Sequence, residues 1–204
     1  MLDNMVDQTI LDTRRLSPPA AITNRKQVYA VCKRLIDLAL VLVGGPFFLP
    51  LILILALLVR LDGGPAFYLQ PRIGRNGRVF RLWKLRSMVP DADRALEAYL
   101  ARNPAEKAEW DEHQKLRRDP RLTALGPFLR RYSLDELPQL WNVFAGDMSL
   151  VGPRPMMPQQ RLLYAGLAYY ELRPGLTGPW QISERNNCSF ADRARYDEQY
   201  RETV

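Results

Sequence analysis

Two adjacent carboxylates, Asp135 and Glu136, are the residues of this sequence best placed to do chemistry. They stand in "RRYSLDELPQL", at the end of a basic stretch. From Lys115 to Leu134 there are six cations (Lys115, Arg117, Arg118, Arg121, Arg130, Arg131) against one acid, Asp119. A carboxylate pair can supply a nucleophile with a proton-handling neighbour, or hold a divalent cation against phosphate oxygens. The same residues also fit a capping box. Ser133 would accept from the amide of Glu136, and the Glu136 side chain would reach back to the Ser133 amide. Asp135 would then face the positive end of the helix. One feature opposes the cap. With Ser133 as N-cap, Pro138 falls at the fifth helical position, where its missing N–H matters. A helix starting near Leu137 avoids this and leaves both acids in its approach. The local residues leave cap and chemistry both open.

Chemistry on phosphate needs anion-binding groups, and the sequence is rich in them. Arg130 and Arg131 lie just upstream of the acids. Gly152-Pro-Arg154-Pro sets an arginine on a stiff loop, and Arg173 and Arg185 lie in or beside the Gly/Pro-rich "RPGLTGPWQISER". A guanidinium grips phosphate oxygens as a fork, so rigidly held arginines suit a diphosphate. Lys84 and Arg86 in "WKLRSM" are weaker candidates that a membrane surface would serve equally well. The formal charge of +7 favours an anionic partner: nucleic acid, anionic lipid or a phosphorylated substrate. Nucleic acid fits least. No recognition motif is present, and Trp83, Trp141 and Trp180 sit in apolar contexts that read as core rather than as base-stacking platforms. The single histidine, His113, reads as a solvated side chain and cannot build a zinc site alone. Cys32 and Cys188 make no disulfide framework and have no metal-ligand spacing.

These residues must be positioned by a membrane-bound scaffold. Residues 1–27 read as a loose polar tail. Residues 28–61 contain 22 consecutive uncharged residues, Leu38 to Val59, or about 33 Å of helix, enough to cross the hydrocarbon core. Gly44-Gly45-Pro46 and Pro50 interrupt this run, and Pro50 removes a hydrogen bond and bends the axis. Both flanks are basic, with Arg25, Lys26, Lys33 and Arg34 before and Arg60, Arg72 and Arg75 after. A spanning helix would carry one cluster to the outer face against the positive-inside rule. A re-entrant helix broken at Pro50 would keep both beside anionic cytoplasmic lipid. The residues alone leave spanning and re-entrant shapes open.

Residues 62–204 read as one catalytic domain. Asn76-Gly77, between runs rich in aromatic and branched residues, predicts a β-hairpin, with Pro71 confining its strand to an edge. Residues 91–102 predict a helix with Asp91 as N-cap. "SLDELPQLWNVFAG" predicts a helix stopped by Gly146. "QQRLLYAGLAYYELRP" predicts another helix, and "SFADRARYDEQYRETV" a charged terminal one. The fold class is α+β and mostly helical.

Four stretches now carry a resemblance: "KRLIDL", "GGPAFYLQPRIGRNGRVFRLWKLRSM", "DPRLTALGPFLRRYSLDELPQLWNVFAGDMSLVGPRP" and "LRPGLTGPWQISERN". In this order, from Lys33 to about Asn187, the chain resembles the bacterial sugar transferases, the monotopic phosphoglycosyl transferases that start exopolysaccharide or glycoconjugate assembly. The resemblance implies transfer of a sugar 1-phosphate from a UDP-sugar to undecaprenyl phosphate, with release of UMP. It implies that Asp135 is the nucleophile, forming a phosphosugar–enzyme intermediate, and that Glu136 deprotonates or positions the polyprenyl phosphate. Mg²⁺ would bind Asp135 and Glu136 with the diphosphate, and Arg130, Arg154 and Arg185 would face phosphate. The resemblance also implies a re-entrant helix broken at Pro50 and a place on the cytoplasmic face of the bacterial inner membrane. Members often have Gly-Arg where this chain has Glu184-Arg185. A scaffold that only binds anionic lipid at the membrane surface is the non-enzymatic alternative.

Overall fold

The computed structural model describes residues 24–113, 116, 119–183 and 192–204. The chain divides into two compact units, Met1–Lys33 and Arg34–Val204. The first contributes the opening turns of α1, Asn24–Arg60. This helix is long and apolar enough to cross a membrane. It runs continuously through Pro46 and Pro50, so Pro50 does not terminate it. Neither proline can donate to the carbonyl four residues earlier.

Within the second unit, α1 is held near both ends. At one end, the buried Asp37 carboxylate accepts from Ser149 Oγ at 2.7 Å and from the Leu150 amide at 3.1 Å. Arg34 donates to the carbonyls of Val143 and Phe144 at 2.6 and 2.9 Å. At the other end, Leu55, Ala56 and Val59 are buried in a core cluster with Leu85 and Leu129. Each such aliphatic side chain contributes about 1.5–3 kcal/mol on burial. The stretch between the anchors faces outward, with Phe47 77% exposed and Leu42, Val43, Leu49 and Leu53 exposed beside it.

The hairpin forms as expected. Strand β1, Phe67–Ile73, pairs antiparallel with β2, Val79–Leu85, in a two-stranded sheet whose register joins Ile73 to Val79 and Phe67 to Leu85. Asn76 and Gly77 both take positive φ (58° and 73°) in the connecting turn, a conformation these two residue types tolerate best. Pro71 lies in β1, which among the described residues pairs with β2 alone. Helices α2, Ala92–Arg102, and α3, Pro104–His113, follow. Asp91 precedes α2 but makes no side-chain cap, because its own φ of 55° is left-handed rather than extended.

The acid pair sits between α4, Gly126–Arg131, and α5, Gln139–Ala145, on a single 3₁₀ turn, Leu134–Glu136. No capping box forms there. Ser133 has φ 55° and caps nothing, and the Glu136 side chain binds elsewhere. With Pro138 at its N-cap position, α5 begins after the acids, and it ends at Gly146 (φ 93°), whose amide donates to Asn142 and Val143 carbonyls. The two remaining strands, β3 (Ser149–Val151) and β4 (Gly175–Thr177), are parallel. The expected long helix over "QQRLLYAGLAYYELRP" is instead a 3₁₀ segment, Pro158–Leu163, and a short α6, Ala168–Glu171. Gly166 lies between them, and a Cβ there would come within 3.1 Å of Ala194 and 3.2 Å of Tyr164. The chain bends at this close approach, burying Tyr164 and Tyr169 and leaving Leu162 95% exposed. Helices α7, Pro179–Ile182, and α8, Asp192–Thr203, complete the described chain. Trp180 is buried, but Trp141 is not core: it is 57% exposed and packs its ring 5.6 Å from that of Phe144.

Candidate active site

The alternation of β2 brings Lys84 to the acid pair. Its Nζ donates to Glu136 Oε1 at 2.8 Å and lies 3.7 Å from Asp135 Oδ2. The backbones that present these groups are fastened by Asn142 of α5, itself 1% exposed. Its Oδ1 accepts from the Trp83 amide at 3.0 Å, and its Nδ2 donates to the Arg81 carbonyl at 2.8 Å. One side chain thus pairs the edge of β2 with the helix that follows the acids.

The two acids differ in environment. Asp135 is buried (7% exposed), and burial pushes its carboxyl above the usual carboxylate range against the pull of Lys84 and Arg130. Burial also opposes charge on Glu136. There the charge and hydrogen bond of Lys84, helped by Arg154 and Arg72, outweigh it and hold that carboxyl below its usual value. Adjacent acids driven in opposite directions are a common signature of a division of labour.

Beside the pair lies a small, open cleft lined among others by Arg72, Lys84, Glu136, Gln139, Arg154 and Gln181. Its arginine wall is built by the glycines of two motifs. The Gly152 amide donates to the Thr177 carbonyl at 2.9 Å, and the Gly175 amide to the Pro153 carbonyl at 2.8 Å. A Cβ at Gly175 would stand 2.1 Å from the Gly152 nitrogen, and one at Gly152 would stand 2.2 Å from the Arg173 carbonyl. "VGPRP" and "RPGLTG" are therefore two halves of one close backbone crossing. The crossing sets Arg154 at the cleft, its guanidinium 5.8 Å from the Trp180 ring centroid. Gln181 ties α7 to the same crossing through the Leu176 carbonyl at 3.0 Å.

The structure therefore gathers Asp135, Glu136, Lys84 and Arg154, and places exposed Arg130 where its charge reaches Asp135. Lys84, the weaker candidate by sequence, touches both acids. Arg86 does not join them. It is 6% exposed, and its guanidinium is taken up by Asp62 and the carbonyls of Pro65, Val59 and Met88. Arg173 donates to the Gly146 carbonyl at the end of α5. Arg185 and Glu184 lie outside the described residues. Sequence reasoning missed Arg72, Gln139 and Gln181 as cleft residues. Arg72 was readable only as one of many cations near the membrane, because nothing local distinguishes it.

Two adjacent carboxylates suit Mg²⁺, which takes one or two protein carboxylates and completes its shell with phosphate oxygens and water. Among the described residues no cluster of three His, Cys, Asp or Glu side chains exists to form an all-protein cage. The donor set thus fits a cation shared with a phosphorylated ligand.

The described residues thus hold a helix long and apolar enough to cross a membrane and a cleft lined by acid, lysine and arginine side chains. Residues 28–204 match the family described as bacterial sugar transferase, and the chain belongs to that family. It is 47% identical over 170 residues to a UDP-galactose-lipid carrier transferase of Erwinia amylovora, covering 82% of this chain and 36% of that protein. It is 43% identical over 195 residues to the exopolysaccharide production protein ExoY of Rhizobium meliloti, covering 92% and 86%. An undecaprenyl-phosphate galactose phosphotransferase of Salmonella typhimurium is 47% identical over 153 residues, covering 74% and 32%. The chain thus spans about a third of the Erwinia and Salmonella proteins and most of ExoY.

Proposed function

We propose that this protein is a phosphoglycosyl transferase that moves a sugar 1-phosphate from a UDP-sugar to undecaprenyl phosphate and releases UMP. The observation that carries the reading is the Asp135–Glu136 pair, held by Lys84 at the edge of an arginine-lined cleft. Family membership and the names of the relatives support the same acceptor and reaction class.

Asp135 is the nucleophile. A carboxylate oxygen attacks the phosphorus that bears the sugar, and the phosphoanhydride bond to UMP breaks with its electron pair leaving on UMP. A phosphate oxygen of undecaprenyl phosphate then attacks the same phosphorus. The bond to Asp135 breaks, the carboxylate returns, and a lipid-linked diphosphosugar leaves. Carboxylates serve as phosphoryl-accepting nucleophiles in this way. Glu136, held ionised by Lys84, is a weak base, so its role is to position charge: Lys84 and the incoming phosphate. Arg130 and Arg154 bind phosphate oxygens. Asp135 and Glu136 would hold Mg²⁺ with the diphosphate. When bound, the metal offsets the mutual repulsion of acids and phosphates, which at 4 Å and an effective dielectric of 20 is about 4 kcal/mol per pair of unit charges.

The helix α1 is re-entrant in the membrane, at the cytoplasmic face of the inner membrane. The support is its two anchors. Asp37 and Val59 both grip the same unit. Some 22 residues of straight helix between them would be about 33 Å long, the thickness of a hydrocarbon core. A spanning helix would put one anchor on the far side. Pro46 and Pro50 lie in the exposed stretch between the anchors, where a bend is cheapest.

The test is UMP release over a panel of UDP-hexoses with undecaprenyl phosphate and Mg²⁺. Sugar-dependent UMP release with a lipid-linked diphosphosugar product is expected. Binding to anionic liposomes with no UMP release from any donor would replace the enzyme with a membrane-surface scaffold.

A further inference from the structure

Arg72 lines the cleft yet hydrogen-bonds to neither acid. It rises from β1 and lines the cleft with Arg154. Its Nη1 donates to the Pro155 carbonyl at 3.1 Å, and its Nη2 to Gln70 Oε1 at 2.6 Å. Both partners are neutral and together they fix the plane of the group. Its Nε is buried and has no hydrogen-bond partner. An arginine has five N–H donors, so most of its donor capacity is unspent. Among the described residues neither Arg72 nor Arg154 forms an ion pair. Burial pushes the Arg72 pKa down, and the neighbouring charge of Arg154 adds to the push. Two cations that line one cleft and feel each other's charge repel unless an anion lies between them. Glu136, whose charge both arginines help to hold, is already hydrogen-bonded to Lys84.

We infer that Arg72 and Arg154 form a clamp for one phosphate group, with Arg72 held in a pre-set plane by Pro155 and Gln70. The link to Pro155 is part of the device, because it joins the β1 arginine to the residue directly after Arg154. Occupancy of the clamp thereby couples the hairpin to the "GPRP" loop. The ligand chemistry is a phosphate carrying one or two negative charges. Within the proposed reaction it has two sources, the donor diphosphate or the phosphate of the lipid acceptor. The inference rests on the reading of this cleft as a phosphate-transfer site, but the clamp is measured without turnover.

Binding of two probes to the full chain in detergent micelles with Mg²⁺ tests it: inorganic pyrophosphate, and farnesyl phosphate scored against farnesol. The wild-type protein is expected to bind at least one. Arg72→Gln is expected to weaken that binding by about tenfold or more, the loss of one charge-assisted fork. Arg72→Lys should recover part of it and restore the dependence on ionic strength, since it keeps the charge without the fork. Loss confined to pyrophosphate assigns the clamp to the donor, and loss confined to farnesyl phosphate assigns it to the acceptor. Unchanged affinity of Arg72→Gln for both probes overturns the clamp, as does a wild-type protein that binds neither. A loss that Arg72→Lys does not recover, accompanied by a lower unfolding midpoint in both variants, overturns it in favour of a purely structural tie to Pro155. Arg72-dependent binding in a protein that releases no UMP from any UDP-sugar leaves the clamp standing and removes the proposed reaction.

Discussion

Lys84 and Glu136 are joined by a 2.8 Å hydrogen-bonded ion pair although 52 residues separate them in the chain. The same ammonium lies 3.7 Å from Asp135. One cation from the hairpin therefore reaches both acids on the 3₁₀ turn. Replacing it by an uncharged residue of similar length isolates this role. Lys84→Met is expected to lower the UMP-release rate by about a hundredfold, the scale of losing one fixed electrostatic group, with the hairpin intact by circular dichroism. Activity within a few-fold of wild type would mean that the lysine is only a surface partner.

The crossing of "VGPRP" and "RPGLTG" predicts a failure of structure and activity together. At Gly175 a methyl group has nowhere to go, because the Gly152 nitrogen lies 2.1 Å from its position and the Thr177 carbonyl 2.4 Å. Gly175→Ala should cost about 1–3 kcal/mol or more through backbone displacement and displace Arg154 from the cleft. Thermal unfolding in detergent and UMP release should both fall.

Asp197 on α8 supplies a pH signature. It is 4% exposed, and burial raises its carboxyl to about 6, although Tyr164 donates a 2.8 Å hydrogen bond to it. Its folded pKa is above the unfolded value, so between roughly pH 4 and 6 the folded state binds more protons. Stability from this group is then present at low pH and is lost as pH rises through 6. The loss amounts to at most about 3 kcal/mol at 1.36 kcal/mol per unit. Asp197→Asn removes the titration, so the stability difference between variant and wild type should move in the variant's favour from pH 4 to 7. Parallel pH profiles would exclude it.

Both ends of α1 should lie on one side of the membrane. With Cys32 and Cys188 replaced by serine, single cysteines at Val28 and Leu61 are expected to react with a membrane-impermeant maleimide only after the cytoplasmic face is exposed. Labelling of one from outside intact spheroplasts would establish a spanning helix.

Legibility in the sequence followed the range of the interactions. The hairpin turn was readable because Asn76-Gly77 meets a strictly local demand for positive φ. The end of α5 at Gly146 and the adjacency of the two acids were equally local. The choice between cap and chemistry stayed open because Ser133 takes a left-handed conformation that no local propensity announces. The helix expected across Gly166 is interrupted where Ala194, 28 residues later, leaves little room for any side chain at that position. Lys84 and Arg86 illustrate the limit most plainly. They are two residues apart on or just after one strand with the same charge, yet one meets the acid pair and the other is enclosed by Asp62 and backbone carbonyls. Which partner each would find depended on the 3₁₀ turn that carries the acids and on the end of α1, elements distant in sequence.

The central claim is that Asp135 becomes covalently bound to a phosphosugar. Intact-protein mass spectrometry after incubation with UDP-sugar and Mg²⁺, without lipid acceptor, tests it most directly. A mass increase of one phosphosugar is expected, mapped to Asp135 by peptide analysis, discharged by undecaprenyl phosphate and absent from a folded Asp135→Asn variant. An Asp135→Asn protein that still releases UMP and turns over at the wild-type rate would contradict it.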